Sequence, residues 1–142
     1  MNAREMAEIH ALCFRSPRPW RADEFADLLR SNGVFACTRA AGLILGRLAG
    51  PEAEILTLAV APSAQRQGIA NELLDEFERI ALEQGAVQLF LEVANTNHGA
   101  IALYRKHQYR DAGIRKDYYA SPRGAKVSAL VMSKPLEPLT NA

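Results

Sequence analysis

Apolar residues recur along this chain at two spacings, and the switches between them lay out its elements. Met6, Ile9 and Cys13 fall at helical spacing, as do Phe25, Leu28 and Leu29, predicting two short amphipathic helices on either side of SPRPW. Pro17 and Pro19 kink that segment around Trp20. VFACTR (Val34 to Arg39) and LILGRLA (Leu43 to Ala49) are β-rich runs that form a hairpin through Ala40, Ala41 and Gly42. AEILTLAV (Ala53 to Val60) is a third strand, ended by Pro62. From Gly68 to Gln84, Ile69, Leu73, Leu74, Phe77, Ile80 and Ala81 share one face of a helix that Gly85 is placed to cap. QLFLEV (Gln88 to Val93) is mostly apolar, as expected of a strand covered by helices, and Asn97 is placed to N-cap a helix running through Leu103 and Tyr104 to about His107. This strand, helix, strand, helix order is a parallel crossover. YRDAGIR (Tyr109 to Arg115) and KVSALVMSK (Lys126 to Lys134) are two last strands flanking a polar, tyrosine-bearing loop from Lys116 to Ala125. The expected fold is α/β: a mixed central sheet with an antiparallel first half and a parallel centre, and helices on both faces.

Composition adds mainly exclusions. At 142 residues, 49% hydrophobic and 23% charged, the chain has the size and make-up of one globular domain, 1–142, with its tail loosely ordered from about 136. Lys plus Arg number 17 against 16 Asp plus Glu, a net charge of +1, so no global field draws it to nucleic acid or a membrane. Cys13 and Cys37 are the only cysteines and lack zinc-site spacing, which makes both reduced, buried thiols. His98 and His107 have no third partner in the pattern, so no metal is expected. The start MNAREMAEIH has no apolar signal core, which points to the cytoplasm.

The stretch with chemistry in it is LTLAVAPSAQRQGIANELL, Leu56 to Leu74: a strand, a Pro-marked turn, a glycine and a long helix. A helix N-terminus leaves backbone N–H groups without internal partners and carries the positive end of the dipole, so it suits a phosphate. Gly68 and Ala70 keep the first turn clear of bulk and Arg66 adds a positive charge, while the patterns of the commoner phosphate loops are absent.

QRQGIA, Gln65 to Ala70, resembles the Q/RxxGxG/A pyrophosphate-binding motif of the GNAT acyl-CoA N-acetyltransferase superfamily, and LAVAP resembles that family's central strand. LEVANTN (Leu91 to Asn97) and AIALYRKHQY (Ala100 to Tyr109) resemble the LEVRxSN and AxxLYxxxGF segments of the bacterial ribosomal-protein-alanine N-acetyltransferases, the RimI group. PWRADEF and KDYY fit the same group, so the resemblance covers most of the chain in one order.

The resemblance implies acetyl-CoA as donor, no metal, and direct transfer to an amine in a ternary complex. Leu58, Ala59 and Val60 would then offer main-chain hydrogen bonds to the pantetheine arm, and Arg66, Gln67, Gly68, Ile69, Ala70 and Asn71 would surround the pyrophosphate. Asn97 matches a position whose side chain contacts the cofactor. Glu92 matches the general base for the incoming amine, and Tyr104 the acid that reprotonates the thiolate, a phenol's reference pKa of about 10 lying not far above a thiol's. Trp20, Tyr118 and Tyr119 lie where the group binds its peptide. The implied acceptor is a protein N-terminus such as that of a small-subunit ribosomal protein, and the enzyme a monomer or weak dimer.

The chain departs from the group's pattern where the usual Arg after the glutamate is Ala94, and where Gln108 and Tyr109 replace Gly and Phe. Acetylation of a lysine side chain or small-molecule amine is therefore the alternative, and a non-catalytic acyl-CoA-binding module the alternative of another class. From Arg105 to Lys126 seven Lys or Arg face only Asp111 and Asp117, a charge excess read chiefly as a solvated surface balancing the acidic Gly68–Gln84 helix.

Overall fold

The computed structural model describes residues 1–14, 18–120 and 126–137, with the backbone alone at 119 and 120. Helices α1 (Ala3–Cys13) and α2 (Ala22–Arg30) precede an antiparallel meander of β1 (Val34–Arg39), β2 (Gly42–Ala49) and β3 (Glu52–Val60). A 3-10 turn at Pro62–Ala64 leads into α3 (Ile69–Glu83), followed by β4 (Gln88–Ala94), α4 (His98–Lys106), β5 (Arg110–Ala120) and β6 (Lys126–Pro135). The sheet order is β1-β2-β3-β4-β6-β5. The parallel centre is the single pair β3–β4, because β6 inserts antiparallel between β4 and β5.

Each face of the sheet has its own apolar cluster. On one, Met6 and Ile9 of α1 and Phe25 of α2 pack on Leu43, Leu45 and Ala59. Leu29, expected on that face, is 37% exposed. On the other, Leu73, Leu74, Phe77 and Ala81 of α3 cover Ile44, Ile55, Leu89, Leu91 and Met132. Gly46 permits this approach, since a Cβ there would overlap the Phe77 ring, which stacks on Phe35 at 4.8 Å between centroids.

The strands that matter for function come apart. β3 and β4 pair only from Glu52–Ile55 against Gln88–Leu91. At the same level the β2–β3 register skips Leu56, with Leu45 opposite Thr57 and Gly46 opposite Ile55. Such a bulge bends its strand and re-aims the side chains beside it, and here it carries the end of β3 away from β4.

Two differences from the expected layout bear on the site. Lys116 to Ala120, expected in a loop, continue β5: the ladder resumes with Tyr119 opposite Val127 and Ala120 opposite Lys126, after an irregularity centred on Asp117 at φ 54°. The rest of that expected loop, 121–125, lies outside the described residues, as does Pro17. At the C-terminus Leu136 is buried and its N–H donates to the Val87 carbonyl (2.9 Å), so packing reaches that residue.

Candidate active site

Two cavities open on either side of the parted strands. One, about 550 Å³, lies at the start of α3 and is lined by the end of β3 (Leu58, Ala59, Val60), the turn Gln65–Arg66, Gly68 and the first residues of α3. The other, about 300 Å³, lies on the α1 face, between His10, Phe14 and Trp20 on one side and Glu54, Thr57, Glu92 and Tyr118 on the other. Phe14, Leu58, Asn97, Ala100 and Tyr104 line both. The gap between β3 and β4 is where the cavities meet, and Tyr104, 6% exposed, stands at that junction.

The larger cavity includes the first turn of a helix. Gly68 is the N-cap residue of α3 at φ 81° and no side chain caps that helix, so the N–H groups of Ile69, Ala70 and Asn71 have no protein acceptor among the described residues. Arg66 also takes a positive φ, 64°, and with Gly68 folds the turn tightly before the helix. This arrangement fits a phosphate-bearing ligand. The Val60 carbonyl is already taken, by the Cys13 thiol (3.2 Å) and the Gln65 side-chain amide (3.2 Å), which pins the end of β3. Burial pushes the Cys13 thiol up, so it remains a protonated donor. Asn71 meets His107, the residue after the end of α4 (Nε2 to Oδ1, 2.6 Å), which ties the two helices together beside the cavity. Of the run Arg66–Asn71 expected around a pyrophosphate, only Gln67 does not line the cavity.

The smaller cavity is made of side chains from many elements. Glu92 projects from β4 on the α1 face, and its Oε1 accepts from Arg115 Nη1 at 2.7 Å. Arg115 reaches it across β6, since Arg115 pairs with Ala129 and Ala129 with Ala94. The same guanidinium lies 4.0 Å from the centroid of the Tyr118 ring. Glu54 enters from β3, and desolvation followed by the Glu92 charge raises its carboxyl above the usual range. On the opposite wall His10 is sandwiched between Phe14 and Trp20, with centroids at 4.2 and 5.0 Å. Burial lowers His10 to about 4, so the ring is neutral at physiological pH.

The structure thus brings Glu92, Tyr104, Asn97, Trp20 and Tyr118 together around one opening, whereas the side chain of Tyr119 lies outside the described residues. Sequence reasoning missed His10, Phe14, Glu54 and Thr57, and it assigned Arg115 to the solvated surface. Only His10 carried a local signal, as a polar residue on the apolar face of α1; the others depend on strand register. Among the described residues no group of three His, Cys, Asp or Glu is placed to hold a metal ion, and no helix is long and apolar enough to cross a membrane.

A sheet split beside an uncapped helix N-terminus, with a phenol at the split and a carboxylate in the cavity on one side of it, suits a group-transfer enzyme with a phosphate-bearing donor. The chain belongs to the acetyltransferase (GNAT) family, whose model matches residues 3–109, and it is an acetyl-CoA-dependent N-acetyltransferase. It is 32% identical over 127 residues to the ribosomal protein bS18-alanine N-acetyltransferase of Escherichia coli K12, covering 83% of this chain and 82% of that one. It is also 32% identical to the N-alpha-acetyltransferase RimI of Mycobacterium tuberculosis, over 83% of this chain and 78% of the relative. The crystal structure of the Escherichia coli ribosomal-protein-S18-alanine N-acetyltransferase superposes with a TM-score of 0.81 at 26% identity, covering 95% of this chain and 88% of that one.

Proposed function

We propose that this enzyme acetylates the N-terminal α-amine of a protein, with a small-subunit ribosomal protein as the acceptor, in the cytoplasm and as a monomer or weak dimer. The observation that carries this reading is the meeting of the two cavities at Tyr104 and Asn97, with Glu92 on the acceptor side only. Relatives named for alanine N-acetylation of a ribosomal protein, similar over four-fifths of the chain, support the choice of acceptor.

The free N–H groups of Ile69, Ala70 and Asn71 hold the pyrophosphate of acetyl-CoA, and Leu58 to Val60 line the path of its pantetheine arm. Bound there, acetyl-CoA presents a thioester whose carbonyl carbon an amine attacks, so a C–N bond forms as the C–S bond breaks. Glu92, directly or through one water, takes a proton from the incoming ammonium so that its nitrogen has a lone pair. Its Oε1 is held by Arg115, and the residue lines the cavity. Tyr104, at the junction, gives its phenolic proton to the departing sulfur, and the phenol is restored from the proton released by the amine.

The test is a panel of N-terminal peptides, lysine peptides with blocked N-termini and polyamines, each incubated with acetyl-CoA and read by mass spectrometry. Acetyl gain at the α-amine alone is the expected result. Gain confined to lysine or polyamine returns the acceptor to the alternative class that Ala94 suggests, and no coenzyme A release with any amine ends the enzymatic reading.

A further inference from the structure

Tyrosines and cysteines aside, His10 and Thr57 are the only polar residues buried among the described residues, 1% and 7% exposed, and the steps above use neither. They touch each other across the wall of the acceptor cavity, His10 Nε2 to Thr57 Oγ1 at 3.0 Å. The direction of that bond is fixed by a second one. The Trp20 backbone N–H donates to His10 Nδ1 at 3.0 Å, so Nδ1 is the lone-pair nitrogen. A neutral imidazole with an accepting Nδ1 carries its proton on Nε2, and Nε2 therefore donates to the Thr57 hydroxyl. One lone pair of that oxygen is occupied, while its own proton has no acceptor among the described residues. Because Thr57 lines the cavity, that proton is free to be accepted by whatever enters it, by water in the empty site and by a substrate oxygen in its place.

Place narrows what arrives. Thr57 follows the bulge residue Leu56, on the face of β3 that looks toward α1, and it lines the acceptor cavity but not the donor cavity. The arriving group must be an acceptor of hydrogen bonds that comes with the amine. An ammonium offers none, and a lysine side chain or polyamine carries only methylenes next to its nitrogen. An N-terminal residue carries its first amide carbonyl two bonds from the nitrogen.

We propose that Thr57, oriented by the positioning residue His10, donates its hydroxyl proton to the carbonyl oxygen of the acceptor's first residue, and so selects an α-amine by the amide that follows it. This rests on the acceptor cavity assigned above, and it explains how one small cavity distinguishes a protein N-terminus from other amines without a charge unique to either.

The test compares an N-terminal peptide substrate with the same peptide in which the first amide is replaced by a trans-alkene of equal shape. For the wild-type chain kcat/KM falls about tenfold or more on losing the oxygen, the scale of one buried hydrogen bond. Thr57→Val lowers activity on the amide peptide to the alkene level and erases the preference; Thr57→Ser keeps it. Thr57→Val leaves the Nε2–H of His10 buried and unpaired, so a second variant guards against misfolding. His10→Phe with Thr57→Val removes the Nε2–H and its acceptor together, so that only the part-buried Trp20 N–H loses a partner, and it too acts on both peptides equally. Retention of the full preference by either folded variant overturns the proposal while leaving α-amine acetylation intact. Acetylation of blocked lysine peptides but of no α-amine overturns the proposed function instead.

Discussion

The two halves of the site are built from different material. On the α3 side the ligand would meet, beside residues of α1 and α4, the backbone N–H groups of Ile69 to Asn71, a turn with two positive φ angles and the end of a strand, these three within one continuous stretch of chain. On the α1 side it meets side chains converging from α1, the segment before α2, β3, β4 and β5. Backbone chemistry is common to every residue type, so the donor half tolerates substitution wherever the turn and the helix survive. The acceptor half, as proposed above, depends on the identity of Glu92, His10, Thr57 and Arg115. A family sharing one donor but many acceptors is expected to divide in this way, with the invariant ligand held by main chain and the variable one by side chains.

The largest expected effect lies on the acceptor side. Glu92→Gln keeps the shape and one accepting oxygen for Arg115 but cannot take a proton, so kcat should fall about a hundredfold or more while acetyl-CoA affinity by calorimetry stays unchanged. A variant of full activity removes Glu92 from proton transfer, and lost donor affinity would show that the two halves are not separable.

The acceptor half should also respond to acid, because its wall contains a buried histidine. The ordinary His10 value is 6.5 and the folded one about 4, depressed chiefly by burial against a smaller opposing effect of Glu24. Above pH 6.5 the ring is neutral in folded and unfolded chains alike. Between 6.5 and about 4 only the unfolded chain takes up the proton, so stability falls with pH across that window, by about 3 kcal/mol in all. Glu24, held down to about 2 by Arg18 and the Arg21 N–H, loses its contribution in a lower window, from the carboxylate's ordinary 4.5 downward. Urea denaturation at pH 7 and pH 5 should show the upper loss in the wild type and not in the His10→Phe, Thr57→Val chain; equal losses in both would falsify the assignment.

On the donor side the corresponding weak point is conformational. Gly68 has open space where a Cβ would stand but a φ of 81°, so Gly68→Ala meets no clash and costs only backbone strain, about 1–3 kcal/mol. Relief of that strain turns the N–H groups of the first helical turn away from the phosphates. The acetyl-CoA KM should rise about tenfold with the peptide KM unchanged, in line with part of that strain. A rise in the peptide KM instead would mean that the turn also shapes the acceptor cavity.

This division also decided what could be read from the chain before folding. Gln65 to Asn71 announce a helix N-terminus because strand, proline, glycine and helix face follow one another in sequence, and Glu92 and Tyr104 were found through segments that resemble the family's. Glu54 and Arg115 join the site only because β3 pairs with β4 in one particular register and because β6 inserts beside β4, bringing Arg115 within reach of Glu92. Thr57 faces the cavity because a bulge at Leu56 resets the alternation of β3, and no spacing in LTLAV reports a bulge. The continuation of β5 through Lys116 to Ala120 was hidden likewise: its polar composition reads as loop, whereas pairing with β6 beyond the irregularity holds it in the sheet.

Asn97 belongs to both halves, and the smallest predicted effect separates its roles. Its side-chain oxygen accepts from the Ala100 N–H at 3.2 Å, capping the helix that bears Tyr104, and its residue lines both cavities. Loss of such a cap costs about 1 kcal/mol, so Asn97→Ala should lower stability by that amount and raise the acetyl-CoA KM a few fold. Serine caps nearly as well but lacks the amide N–H₂. Asn97→Ser should therefore recover the stability in a denaturant titration while the acetyl-CoA KM stays raised, because the amide, unlike the cap, reaches the donor. Recovery of both by serine would make Asn97 a cap alone, and contact with the donor would then rest on the main chain of β3 and α3.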